Sequence, residues 1–269
     1  MISHYFKIAI RNLCKYKTQN AISIIGLSVG LLCFCVCMYC SRFVDSTNHC
    51  FSNYERIAEL SLYDSKADRY FSGTPVPLSE ELRTWSMGEV EAISCVTYPR
   101  ERPFYVEVSS EKTLPYELET IEADTCYNRV FTPKMVAGHW EMASRSLNSA
   151  ILSQSIAIKI FGNAESAIGK HMTLMRRLNT SPESTPRTGG IVYTIQAVME
   201  DIPLNNSIDF MQNIDVLTVN DSEGLLQSPK RHNMTGASTY ALLSPPITCA
   251  TLEKQFSKRN YTYTLYNEA

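Results

Sequence analysis

The sequence predicts an α+β fold: one N-terminal transmembrane helix followed by a mixed α/β extracytoplasmic domain. Three observations carry this. The stretch Thr18 to Ser41 is largely apolar and holds no charged residue. A short basic segment with Lys7, Arg11, Lys15 and Lys17 precedes it. Beyond residue 44, apolar stretches of strand length and segments of helical period follow one another in irregular order.

In the first segment, residues 1–17, Phe6, Ala9, Ile10 and Leu13 recur at helical spacing while Lys7, Arg11, Lys15 and Lys17 occupy mostly other positions. This predicts an amphipathic helix on the inner leaflet, its cations at the lipid headgroups. Residues 18–44 form the spanning helix. The charge-free run alone reaches about 36 Å, enough to cross a hydrocarbon core of about 30 Å with some tilt. Four of the five basic residues in the first 44 precede the run, and no Asp or Glu occurs there. The positive-inside rule therefore sets the amino terminus in the cytoplasm and residues 45–269 outside. A cleaved signal peptide fits less well, since the apolar run is too long and no small-x-small site follows before Arg42. Within the helix, Ser23, Gly26, Gly30, Cys33, Cys37 and Cys40 form one face of small side chains. That spacing lets another helix approach closely, with Gly26-x-x-x-Gly30 its clearest part.

In the exported part, residues 45–269, Arg56 to Tyr63 reads as a strand and Pro77 to Trp85 as a short helix. Strands follow at Glu91 to Tyr98, Phe104 to Val108 and Leu114 to Glu122. Asp124 opens a helical turn carrying Tyr127, Val130 and Phe131. Ala150 to Leu152 is a short apolar strand, and Ser153 is placed to cap a helix that runs through Phe161 and stops at Gly162. Later strands fall at Lys170 to Met175, Ile191 to Met199, Ile214 to Val219 and Thr239 to Leu243. The polar stretch Arg177 to Gly190, rich in Ser, Thr, Pro and Gly, reads as a mobile hairpin tip. A final amphipathic helix from Thr248 to Lys258 starts after the Pro245-Pro246 break.

The chemistry of the exported part is quiet. It carries 20 basic and 27 acidic residues, a net charge of −7, which gives no electrostatic reason to bind nucleic acid. Neither a GxxxxGK[ST] phosphate loop, a GxGxxG turn after a strand, an HExxH nor a GxSxG is present. Cys50, Cys95, Cys126 and Cys249 are widely spaced and contain no CxxC, so small apolar packing is expected of them rather than a metal site, with one disulfide allowed. Glu200-Asp201 is expected to cap a strand end and shape a turn, and His139 to pack or lie at the surface. No enzyme activity, no cofactor and no metal are expected.

Five segments, in order, resemble the permease family of the macrolide exporter MacB and the FtsX-like ABC transporters. FKIAIRNLCKYKTQNAISIIGLSVGL is similar to that family's amphipathic start and first spanning helix. NHCFSNYERIAEL is similar to the entry into its first extracytoplasmic strand, with Phe51, Asn53, Arg56 and Ile57 in place. IEADTCYNRVFTPKMVAGHW resembles its acidic-aromatic turn ending in Gly138. SAILSQSIAIKIFGNAESAIGKHMTL resembles a strand, a Ser-capped helix and the Phe161-Gly162 stop. YTIQAVMEDIPLNNSIDF resembles a strand and Pro-Asn turn before a buried aromatic.

The resemblance implies a MacB-like periplasmic core domain on a permease subunit or permease fragment without chemistry of its own. Its implied partners are the lipid bilayer, a cytoplasmic ABC ATPase subunit, and further permease helices or a second permease copy. It also implies the bacterial inner membrane as location, and export or mechanotransmission as the task. No second apolar run follows before Ala269, so the core domain is expected to be incomplete and the chain a fragment, a truncated product or a single-pass relative. The alternative reading is a single-pass tethered domain that binds or senses a ligand outside the membrane.

Overall fold

The computed structural model describes residues 11, 15–64, 68–71, 73–84, 88–109, 112–146, 148–174, 190–208, 213–219 and 235–259. The chain divides into two compact units, Met1–Thr47 and Asn48–Ala269. The first contains helix α1 (Lys17–Asp45), 29 residues long and without a buried residue. At 1.5 Å per residue it measures about 43 Å, and it is long and apolar enough to cross a membrane. Its C-terminus is closed by Ser46 and Thr47, whose amides donate to the carbonyls of Arg42 and Val44 and whose hydroxyls donate to those of Phe43 and Val44. Carbonyls orphaned at a helix end are thereby satisfied. Arg42 sits in the last turn, at the negative end of the helix dipole. Most of the expected amphipathic segment, including Phe6, Lys7, Ala9, Ile10 and Leu13, lies outside the described residues.

The second unit is an α+β lobe. Its strands are β1 (Ile57–Leu60), β2 (Leu62–Asp64), β3 (Arg69–Phe71), β4 (Thr74–Pro75), β5 (Val90–Thr97), β6 (Arg100–Ser109), β7 (Lys112–Ala123), β8 (Met135–Gly138), β9 (Ser149–Ser153), β10 (His171–Leu174), β11 (Ile191–Met199), β12 (Val216–Val219) and β13 (Thr235–Leu243). Its helices are α2 (Val76–Thr84), α3 (Tyr127–Phe131), α4 (Trp140–Arg145), α5 (Gln154–Phe161) and α6 (Cys249–Arg259).

Six strands close on themselves. β6 pairs with β7, β7 with β12, β12 with β9, β9 with β11, β11 with β10, and β10 with β6 again. Every one of the six contributes to a single apolar cluster, for instance Phe104, Leu118, Val216, Leu152, Ile195 and Met172. A ring this small is filled by its own side chains. Of the remaining strands, β13 lies between β5 and β1 in an open wing, joined to the ring where Val96 of β5 meets Ala123 of β7, and short β4 also pairs with β13, whereas β8 pairs with β11 of the ring. A second cluster packs Ile121, Ile151 and Leu217 against Tyr127, Val130 and Phe131 of α3 and Trp140 of α4. β9 is therefore buried at all five positions, which explains its unbroken apolar run.

A bulge in β11 distributes that strand between the two cores. Tyr193 and Ile195 belong to the ring cluster, but the register against β9 shifts between Ile195 and Ala197. After the shift, Ala197 and Met199 face the second cluster and Val198 the ring. One extra residue reverses the alternation, as a β-bulge must.

Several expectations are corrected. The predicted strand Arg56 to Tyr63 is broken at Ser61: β1 joins the main sheet through β13, whereas β2 pairs only with β3 in a separate hairpin. Alternation marks a strand but not its partner. β3, β4, β8 and α4 were not expected, because elements of two to six residues are too short to show a period. Ser153 occupies the N-cap position of α5 but makes no side-chain cap hydrogen bond. Asp201 takes that role from a distant loop, accepting the amide of Ser155 at 3.0 Å and the Ser155 hydroxyl. Gly162 does stop the helix, at φ +86° with its amide on the Ile158 carbonyl. Lys134 and Glu200 form an exposed ion pair at 3.5 Å, and His139 is exposed just before α4. The predicted hairpin tip falls mostly outside the described residues, though the strands on either side of it, β10 and β11, do pair antiparallel.

Candidate functional site

The lobe begins at a clasp. Asn48, three residues after the end of α1, has a left-handed backbone, φ +66°, which asparagine tolerates better than most residues. Its amide donates to the Asn205 carbonyl at 3.0 Å. Its side-chain amide donates to Ser207 Oγ at 3.0 Å, and its side-chain oxygen accepts the Ser207 amide at 2.8 Å. The receiving turn is braced from within: fully buried Asn206 donates to the Pro203 carbonyl at 2.7 Å and accepts the Ile208 amide at 3.0 Å. Tyr240 on β13 donates its hydroxyl to the Ser207 carbonyl at 3.1 Å.

The next eight residues are tied down one after another. Phe51 is buried and meets Phe131 edge-on at 5.0 Å, and Phe131 meets Tyr240 at 4.9 Å. The Ser52 amide donates to Thr132 Oγ1, and Asn53 donates to the Arg129 carbonyl. Arg56 reaches Glu91 at 2.8 Å, the Leu243 carbonyl at 3.1 Å and Asn53 Oδ1 at 3.0 Å. Two segments that the sequence presents more than 140 residues apart, the one opening at Asn48 and the one holding the Pro-Asn turn, meet here. Asn48 itself was missed by sequence reasoning. An asparagine three residues past a helix end was the only local signal.

The turn at Asp124 is the second organised feature. Its buried carboxylate accepts the Cys95 amide at 2.7 Å, Ser94 Oγ at 3.0 Å and the Cys126 amide at 3.0 Å, and is paired with the Arg83 guanidinium. Burial pushes this carboxyl up from its ordinary range, while Arg83 and the N–H donors draw it down. The arrangement fixes where α3 starts, and with it the aromatic face that receives Phe51.

On α1, the small-residue positions Ser23, Gly26, Gly30, Cys33, Cys37 and Cys40 are all exposed or open, and a side chain added at Gly26 or Gly30 would meet no other atom within 4 Å. At about 100° per residue the six fall within an arc of about 100°. Of the expected interface cations, Arg11, Lys15 and Lys17 are exposed, and Lys7 lies outside the described residues. Among the described residues, no group of three or more His, Cys, Asp or Glu side chains is placed to hold a metal ion. Cys95 is buried among Val76 and Ala237, and Cys50 and Cys126 are half-buried.

No protein-family model matches the sequence, and no curated protein matches it. Solved structures do. A domain assigned to a permease protein from Porphyromonas gingivalis matches with a TM-score of 0.57 at 20% identity, covering 78% of this chain and 84% of that one. The periplasmic region of MacB from Actinobacillus actinomycetemcomitans gives a TM-score of 0.47 at 12% identity, over 76% of this chain and 80% of that one. The extracellular domain of the noncanonic ABC-type transporter YknZ from Gram-positive bacteria gives 0.44 at 10% identity, over 74% and 87%. The chain thus has the mixed α+β fold of a permease-protein domain, as the sequence resemblance implied.

Proposed function

We propose that the chain is a membrane-anchored permease element of a MacB/FtsX-like ABC transporter, in which α1 crosses the bacterial inner membrane and the lobe stands on the extracytoplasmic side. The supporting observation is the joining of a permease-domain fold to a helix of spanning length that has no buried residue, with the lobe clasped from the third residue beyond the helix end. In water, a helix exposing Ile22, Leu27, Leu32, Phe34 and Tyr39 is unfavourable by about 25 cal/mol per Å² of apolar surface. In lipid that cost disappears. Four basic and no acidic residues ahead of the apolar run favour a cytoplasmic amino terminus.

In this reading the chain performs no bond-breaking step. A cytoplasmic ATPase subunit supplies the work, the small-residue face of α1 packs on other permease helices, and displacement of α1 is delivered to the lobe at Asn48. The double variant Gly26→Leu, Gly30→Leu tests the packing. Purified from the membrane, the wild-type chain should bring an ATPase and other spanning subunits with it, and the variant should lose them while its lobe stays folded. Retention of every partner by the variant, or purification of the wild type with none, would support a simple tether instead. Labelling of exposed Cys249 by a membrane-impermeant maleimide in intact spheroplasts reports the side on which the lobe stands.

A further inference from the structure

The first residues of the lobe are tied by the chain to the level at which α1 leaves the apolar layer. The charge-free run ends at Ser41, Arg42 follows, and Tyr39 stacks on Phe43 at 6.3 Å. Aromatic rings beside a cation mark the headgroup level on a spanning helix. Asp45 is about 6 Å further along the helix than Ser41, which is the thickness of the headgroup layer in one leaflet. The three steps from Asp45 to Asn48 span at most about 11 Å, whatever the angle between helix and lobe. Asn48 passes that constraint to a second segment, because its amide is held by the Asn205 carbonyl and its side chain by Ser207.

Exposed apolar groups flank this junction in both segments. After Asn48, the His49 ring lies against the Tyr54 ring at 4.2 Å, and both residues are exposed. Before Asn205, Pro203 and Leu204 are exposed, whereas Ile202, Asn206 and Ile208 are buried. The turn therefore presents a leucine outward and keeps an asparagine inside, the reverse of the usual order in water. The carboxylates nearby are engaged: Glu200 pairs with Lys134, Asp201 accepts the Ser155 amide, and Glu55 accepts the Tyr54 hydroxyl at 3.0 Å. These few side chains are far too small a surface for a lasting protein contact, which takes about 800 Å² from each partner. A bilayer surface needs no such area, because α1 would hold it permanently within reach.

We propose that a rim formed by His49, Tyr54 and Leu204 rests in the headgroup layer of the extracytoplasmic leaflet, giving the lobe a second attachment to the bilayer besides α1. The proposal rests on the reading that α1 spans the membrane. Tyrosine suits that layer, since its ring is apolar and its hydroxyl stays hydrated. The full chain is reconstituted into phosphatidylcholine vesicles with and without bromine on the upper acyl-chain carbons. The emission of one added tryptophan is read as the difference from the parent chain, which has two of its own. Leu204→Trp and Tyr54→Trp should each lose about half of the added emission in brominated lipid, as an interfacial ring would. Exposed Val192→Trp should lose none, because it stands at the opposite end of β11, about 23 Å from Met199, where the chain leaves for the clasp turn. Phe34→Trp, inside the charge-free run, should be quenched as well and reports on α1 alone. Circular dichroism checks that each variant is folded. Quenching at Phe34 with none at Leu204 or at Tyr54, in either folded variant, would overturn the proposal and leave the spanning reading intact. Absence of quenching at Phe34 would overturn both, and quenching at Val192 equal to that at Leu204 would show that the lobe does not meet the lipid through this rim.

Discussion

Replacing Asn48 with glycine isolates the clasp. The substitution removes both side-chain hydrogen bonds to Ser207 while leaving the left-handed backbone fully accessible. At about 1 kcal/mol for each half-buried hydrogen bond, closure of the clasp loses about 2 kcal/mol, which multiplies its open population by about 30. Amide hydrogen exchange reads this directly, because the Ser207 amide donates to the Asn48 side chain and the Asn48 amide to the Asn205 carbonyl. Both amides should lose about 30-fold in protection. Asn48→Ala adds a second test. Alanine is ordinarily the better residue, yet here its Cβ must enter the left-handed region at a cost of about 1 to 2 kcal/mol, so alanine should be the less stable of the two. Unchanged protection at Ser207 in Asn48→Gly, or alanine matching glycine, would show that the side chain and backbone of Asn48 do not close the lobe as described.

Three more outcomes follow from the packing. Asp124→Ala leaves the amides of Cys95 and Cys126 without their acceptor and Arg83 with only the Ile93 carbonyl, and removing one partner of a buried pair costs about 3 to 5 kcal/mol; an unfolding free energy lowered by less than about 1 kcal/mol in denaturant titration would contradict this. At Gly138, φ is +70° and an added Cβ would stand 2.8 Å from Ala197 Cα, so Gly138→Ala should destabilise by about 2 kcal/mol or more, read by thermal unfolding, with β8 displaced from β11. The Tyr127 hydroxyl is buried with no hydrogen-bond partner among the described residues, whereas Tyr240 bonds to Ser207, so Tyr127→Phe should be neutral or stabilising by about 1 kcal/mol and Tyr240→Phe destabilising by a similar amount. Burial raises both phenols above the ordinary value near 10. A raised native pKa gives stability that is complete below pH 10 and declines as pH rises past it, by about 1.4 kcal/mol per pH unit for each tyrosine. Alkaline unfolding followed by phenolate absorbance should therefore begin above pH 10 and shift upward in Tyr127→Phe.

What could be read locally depended on how many neighbouring residues shared one task. In α1 all 24 residues of the charge-free run answer to the same solvent requirement, so the helix is legible without any partner. The segment from β9 through α5 to Gly162 is legible for a related reason: strand, helix and stop are each enforced within a few residues. The Asp124 turn shows in the sequence because its carboxylate acts on an amide two residues ahead. By contrast, the predicted strand across Ser61 has one continuous pattern but two destinations. The β11 bulge at Gln196 reverses the alternation without leaving a mark in residue type. Ser153 has the right identity for a cap, but Asp201, 46 residues from Ser155, does the capping.

The sequence by itself determined that an apolar helix precedes an α+β lobe, and it set the small-residue face of that helix, since periodicity and charge act over single turns and adjacent strands. Only the tertiary structure decided that six strands close into a ring and that Asn48 meets Ser207 across 159 residues. Contacts of that span are chosen by shape and hydrogen-bond geometry at the moment of packing, and neither partner carries a sign of the other in its own stretch of chain.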